Sequence, residues 1–183
     1  MPRIEGPDVR VRVFTFKEGL LSAVAHDLEI EVTRVSLEWP DDASSVRAEI
    51  DARSLRVLHA VVEGRPAPNA LSDRDKRKIE QSIVDDVLQA SRYPSIRFEA
   101  ALAWPDPQPS VPTIEGKLDL HGRSRSVAVT VTERGDAFVA MATLHQPDFG
   151  IAPYSAMLGT LKIKADVRVE VHVPAAERPP RAR

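Results

Sequence analysis

Leu161-Lys162-Ile163-Lys164-Ala165-Asp166-Val167-Arg168-Val169-Glu170-Val171-His172-Val173 has an apolar side chain at every odd position and a polar, ionisable one at every even position. Successive side chains of a strand point to opposite faces, so this run predicts a strand with one dry and one wet face. The same period recurs outward along the chain. Val9, Val11 and Val13 alternate with Arg10 and Arg12, and Leu28, Ile30 and Val32 with Glu29 and Glu31. The phase then slips to Val35, Leu37 and Trp39, as a β-bulge in a curved sheet would make it. Val46, Ala48 and Ile50 follow the turn Pro40-Asp41-Asp42, and Leu55–Ala60 reads as a continuation beyond a bend.

Residues 64–70 read as a loop, and the period then changes. Ile79, Ile83 and Val87, flanked by Val84 and Leu88, form one stripe of a helix. Ser72 with Asp75 resembles a capping box, and Pro94 lies beyond the far end. Alternation resumes with Ile96, Phe98, Ala100, Leu102 and Trp104, then with Ile114, Gly116, Leu118 and Leu120. It continues through Val127, Val129 and Val131, and through Phe138–Leu144. Short turns such as His121-Gly122-Arg123-Ser124 and Gly135-Asp136 link these runs, which implies antiparallel neighbours. A sheet of about eight two-faced strands must close or pack, and a barrel of that size either fills with side chains or holds one ligand.

The chain has 183 residues, which suits one domain over 1–174, with a proline- and arginine-rich tail at 175–183 that we expect to be disordered. Its 25 basic and 27 acidic residues leave a net charge of −2, a poor match to nucleic acid. The absence of cysteine excludes disulfides, thiolate zinc sites, iron–sulfur ligation and cysteine nucleophiles. No stretch reads as a secretory signal or a membrane span, so a cytoplasmic protein without stable membrane insertion is expected.

Ser22, His26 and Asp27 invite a triad reading. Neighbours on an extended segment point apart, so Asp27 is badly placed to orient His26, and no nucleophile-elbow motif accompanies them. No catalytic residue is assigned, and the protein is expected not to be an enzyme. His59, His121, His145 and His172 are scattered, with no paired spacing for a metal, and no cofactor is expected. His26 remains either a contact for a polar head group at a pocket mouth or a ring bonded to backbone at a turn. Arg92-Tyr93-Pro94 suits a helix end, where the dipole favours the cation, or a pocket rim.

Several stretches, in this order and spacing, resemble the YceI-like family, whose domains bind polyisoprenoid lipids. They are Phe14-Thr15-Phe16, Gly19-Leu20-Leu21-Ser22 and His26-Asp27-Leu28, then Asp85-Asp86-Val87-Leu88 and Arg92-Tyr93-Pro94-Ser95-Ile96-Arg97-Phe98. Gly116-Lys117-Leu118-Asp119-Leu120-His121-Gly122-Arg123-Ser124 and Asp148-Phe149-Gly150-Ile151 complete the set. The resemblance covers about residues 9–173 and implies an all-β, lipocalin-like antiparallel eight-stranded β-barrel, with one α-helix near the opening and an apolar tunnel. Its expected role is non-catalytic storage or transport of an isoprenoid or other long-chain lipid, such as a quinone or polyprenyl phosphate. Burying one isoprene unit would contribute roughly 3–4 kcal/mol before ordering costs.

The expected ligand contacts are Phe14 (or Val13), His26, Ile30, Ile96, Phe98, Leu118, Val129 and Met141, with Ile163 as a further inward candidate. Phe149, Tyr154, Met157 and Leu158, in a connection unusually apolar for a loop, would cap the mouth. A homodimer is compatible with this reading. Two alternatives stand beside it: an interaction module with a filled barrel, and an enzyme on a lipid-like substrate using His26.

Overall fold

The computed structural model describes residues 2–18, 26–102, 112–156 and 161–177. The chain begins with β1 (Arg3–Glu5), β2 (Arg10–Thr15), β3 (Asp27–Val32), β4 (Val35–Glu38), β5 (Ser45–Asp51), β6 (Leu55–Val62) and β7 (Arg65–Ala67). Helix α1 (Asp73–Ser82) then runs into a wider π turn at Ile83–Val87. The remaining strands are β8 (Ser95–Ala101), β9 (Thr113–Leu120), β10 (Arg123–Arg134), β11 (Ala137–His145), β12 (Ser155–Ala156), β13 (Leu161–Lys162) and β14 (Asp166–Pro174). Among the described residues no helix is long and apolar enough to cross a membrane.

Twelve strands form one antiparallel sheet, in the order β1-β4-β5-β8-β9-β10-β11-β14-β2-β3-β6-β7, while β12 and β13 pair separately. The sheet curls into a half-barrel, and it holds twelve strands where eight were expected. The difference has a physical cause. The alternations at 28–39 and 46–60 each break at a corner, giving β3 then β4 and β5 then β6, and the three-residue β1 and β7 add an edge on either side. Residues 64–70, read as loop, supply β7, whose Arg65 pairs with Val62.

The corner is held by hydrogen bonds in place of a ladder. Thr33 N–H donates to Ser54 O at 2.9 Å and Asp51 N–H to Arg34 O at 3.2 Å. Ser54, wholly buried, donates its hydroxyl to Asp51 O at 2.7 Å. The Arg34 guanidinium grips the Asp51 carboxylate through two nitrogens, at 2.7 and 2.9 Å. Sheet edges β1 and β7 do not pair with each other; the chain itself ties the two flanks where β3 passes into β4 and β5 into β6.

β6 contains a second irregularity. Glu29 pairs with His59 but Ile30 with Val57, so Leu58 is the extra residue of a bulge. Helix α1 serves this spot: the Glu80 carboxylate accepts from Val57 N–H and Lys76 Nζ donates to Leu58 O, both at 2.8 Å. The helix starts as expected, with Ser72 Oγ accepting from Asp75 N–H at 3.2 Å. The π turn is closed by Leu88 N–H on Ile83 O at 2.8 Å, and it keeps Ile83, Val87 and Leu88 facing the barrel. Ala175–Glu177 makes a 3-10 turn anchored by Ala175 N–H on Asp136 O, while the rest of the expected tail lies outside the described residues.

Substituting Glu80 by alanine removes the acceptor at the bulge and leaves a part-buried N–H unpaired. The expected loss is about 1–3 kcal/mol of unfolding free energy, read from urea denaturation. An unchanged midpoint would show that Glu80 does not brace β6.

Candidate functional site

Strand parity sets the wall. In β14 the odd residues Val167, Val169, Val171 and Val173 face the interior, and register carries that choice to the neighbours: Val171 lies opposite Val11 in β2 and opposite Ala140 in β11. The even rows of β3, β5, β8, β9 and β11 and the odd rows of β4 and β10 complete the ring. These rows enclose an apolar cavity of ≈ 460 Å³, with Ile83, Val87 and Leu88 of the helical segment forming part of its wall.

Five of the expected ligand contacts line this cavity: Ile30, Ile96, Phe98, Leu118 and Val129. The Phe98 ring occupies space that only a glycine leaves open, since a Cβ on Gly116 would sit 2.2 Å from its Cζ. Phe14 lies on the opposite face from Val13, which lines the cavity; the Arg168 guanidinium covers the Phe14 ring at 4.4 Å. Met141 likewise lies between the lining residues Ala140 and Ala142, and Arg134 Nη2 meets its Sδ at 3.6 Å.

His26 is half-buried outside the lining, and the adjacent Asp27 accepts from Lys17 N–H at 2.7 Å. Phe149 is buried in a core cluster with Leu118, Leu120, Val127 and Ile151, of which Phe149 alone is not part of the cavity wall. Tyr154 is half-buried, its carbonyl accepting from Ile163 N–H at 3.0 Å, and neither residue is part of the lining. Ser22, Met157 and Leu158 fall outside the described residues.

Four polar lining residues escaped the sequence reading: Thr15, Thr132, Glu133 and Gln146. Thr15 continues the row of Val9, Val11 and Val13, and Gln146 extends the even row of Phe138 to Leu144. For these two the signal was the unbroken parity; their polarity hid it. Arg92 stacks over Tyr93, 5.2 Å from its centroid, and Tyr93 packs on His121 at 4.4 Å, so this motif braces a helix end and a turn away from the lining.

The ion pairs of β2, β3 and β6 belong to the outer face. Arg12 bridges Glu31 at 2.6 Å and Glu29 at 3.2 Å, and His59 meets Glu29 at 2.9 Å. Four surface carboxyls lie below their ordinary value of 3.8. The Ser44 N–H and hydroxyl hold Asp42, the Arg53 N–H and then Arg34 hold Asp51, the Ser72 hydroxyl holds Asp75, and the Ser124 hydroxyl with Lys117 holds Asp119. None of the four lines the cavity.

An all-β half-barrel with one helix and an apolar interior is the class of domain these features define. The chain belongs to the YceI-like domain family, whose model matches residues 9–175. BcnA from Burkholderia cenocepacia has a similar structure, with a TM-score of 0.59 over 90% of this chain and 94% of its own, at 17% identity. A polyisoprenoid binding domain from Saccharophagus degradans, implicated in plant cell wall breakdown, superposes at 0.60 over 95% and 99%, at 11% identity. The YceI protein of Campylobacter jejuni does so at 0.53 over 86% and 88%, at 15% identity. At such identities the likeness is one of fold. A comparison with curated proteins found no match.

The lowered carboxyls make the acid limb of stability predictable. A carboxyl with a depressed folded pKa adds stability that is fully present above the unfolded value and lost as pH falls through the folded one. Thermal stability is therefore expected to hold from neutral pH to about pH 4 and to decline below it. Calorimetry across that range checks this, and a decline beginning well above it would point to other groups.

Proposed function

We propose that this chain binds an isoprenoid lipid, such as a quinone or polyprenyl phosphate, inside the barrel, and stores or carries it without chemical change. The observation that carries this reading is the apolar cavity of ≈ 460 Å³. Its size falls within the range of about 300–1,000 Å³ common for ligand sites. An apolar void of even roughly 150 Å³ stays dry and takes up apolar molecules, so water is a poor occupant here. Leaving such a wall unfilled forgoes packing worth several kcal/mol.

Family membership and the polyisoprenoid-binding neighbour support the ligand class. A wall built almost wholly of aliphatic side chains offers grip along a hydrocarbon chain and little to activate a reacting bond. The alternative of a filled barrel acting through its surface is disfavoured by the same cavity.

Native mass spectrometry of protein purified without detergent, with solvent extraction of whatever is released, tests the proposal. A stoichiometric adduct of isoprenoid mass is expected. A clean apo mass, unchanged after adding quinones and polyprenyl phosphates, would overturn it. Val129→Trp, which places an indole against the wall, is expected to abolish the adduct while retaining cooperative unfolding, at a cost of about 1–3 kcal/mol.

A further inference from the structure

Among the described residues, four that line the cavity carry polar side chains: Thr15, Thr132, Glu133 and Gln146. Among the described residues no lysine, arginine or histidine lines it, and the one charged lining residue, Glu133, is exposed at the end where Phe138 pairs with Val173, away from Thr15. Arg134, next to Glu133, reaches away to Met141, which lies outside the lining. A phosphate drawn into this chamber would shed its water and find no cation among the described lining residues. A buried charge with no partner is far costlier than a buried neutral dipole.

Thr15 and Gln146 present a different chemistry. Thr15 Oγ1 is buried and has no hydrogen-bond partner in the protein, which is unusual enough to call for one. Gln146 Nε2 donates to Lys164 O at 3.1 Å and Ala165 O at 3.3 Å, so the group its side chain still has to offer is an acceptor oxygen. The two residues belong to the same end of the barrel, since Gln146 N–H bonds Ala165 O at 2.9 Å and Lys164 N–H bonds Phe16 O at 2.8 Å.

We infer that the lipid ends in an uncharged hydrogen-bonding group, a hydroxyl or carbonyl oxygen, held by Thr15 Oγ1, and that phosphorylated lipids are excluded. This rests on the isoprenoid reading above and decides between the two ligand classes it left open.

The test compares geranylgeraniol with geranylgeranyl monophosphate, which share one hydrocarbon chain, by titration followed through the fluorescence of buried Trp39 and by native mass spectrometry. The alcohol is expected to bind roughly tenfold or more tightly than the phosphate. Thr15→Val is expected to weaken alcohol binding by about 3–10-fold, with Thr15→Ser restoring it. Equal or tighter binding of the phosphate would overturn the inference and leave the isoprenoid reading standing. Binding of neither probe would overturn both. Unchanged alcohol binding by Thr15→Val would overturn the assignment to Thr15.

Discussion

Neighbouring side chains on a pleated strand point to opposite faces, so a slip of one residue turns a lipid-facing wall into a water-facing one. The rest of this molecule depends on that constraint being met around the whole ring. Val171 of β14 lies opposite Val11 and Ala140, Val13 lies opposite Ile30, and Phe98 lies opposite Leu118; each pair hands the inward phase to the next strand. Where curvature demands an irregularity, the phase is reset at the corner, between Val32 and Val35 and between Ile50 and Leu55, and again at the Leu58 bulge. Both resets expose backbone groups, and both are serviced locally: the first by Ser54 and the Arg34–Asp51 pair, the second by Glu80 and Lys76 of α1.

The division of charge follows from the same rule. Arg12, Glu29, Glu31 and His59 belong to the outward rows, so their ion pairs form outside while the inward rows stay aliphatic. The chamber is therefore low in polarity as a by-product of strand geometry. The few polar lining residues stand where rows run out, at the ends of β2, β10 and β11.

Much of this was legible in the sequence because period two is a local signal. The alternations, the Ser72 cap, the phase slip after Val32, and wall positions such as Ile30 and Ile96 all come from spacing alone. What stayed hidden depends on distant partners or on competing local cues. Val13 and Phe14 are adjacent and both apolar, so spacing does not choose between them; the pairing of β2 with β14 does. Met141 looks like better core material than Ala140 or Ala142, yet the small residues leave the space. The split of two long strands at a corner is set by contacts from Ser54 to Thr33, across more than twenty positions. The brief edge strands carry too few residues to show a period.

A curled sheet whose edges do not meet exposes a hazard that a sealed barrel avoids: its outer strands can recruit another chain into a growing ladder. Here β1 and β7 are three residues each, too short to template much pairing. β1 carries Arg3 and Glu5 around its single buried Ile4, with Arg3 tied to Glu38, and β7 has Pro66 at its centre, which lacks a backbone donor. The long alternating strands, with their continuous apolar rows, are all interior to the sheet order. Resistance to amyloid-like self-association is thus concentrated in about half a dozen peripheral residues, and lengthening or neutralising either edge would put a sticky margin on an otherwise well-behaved domain.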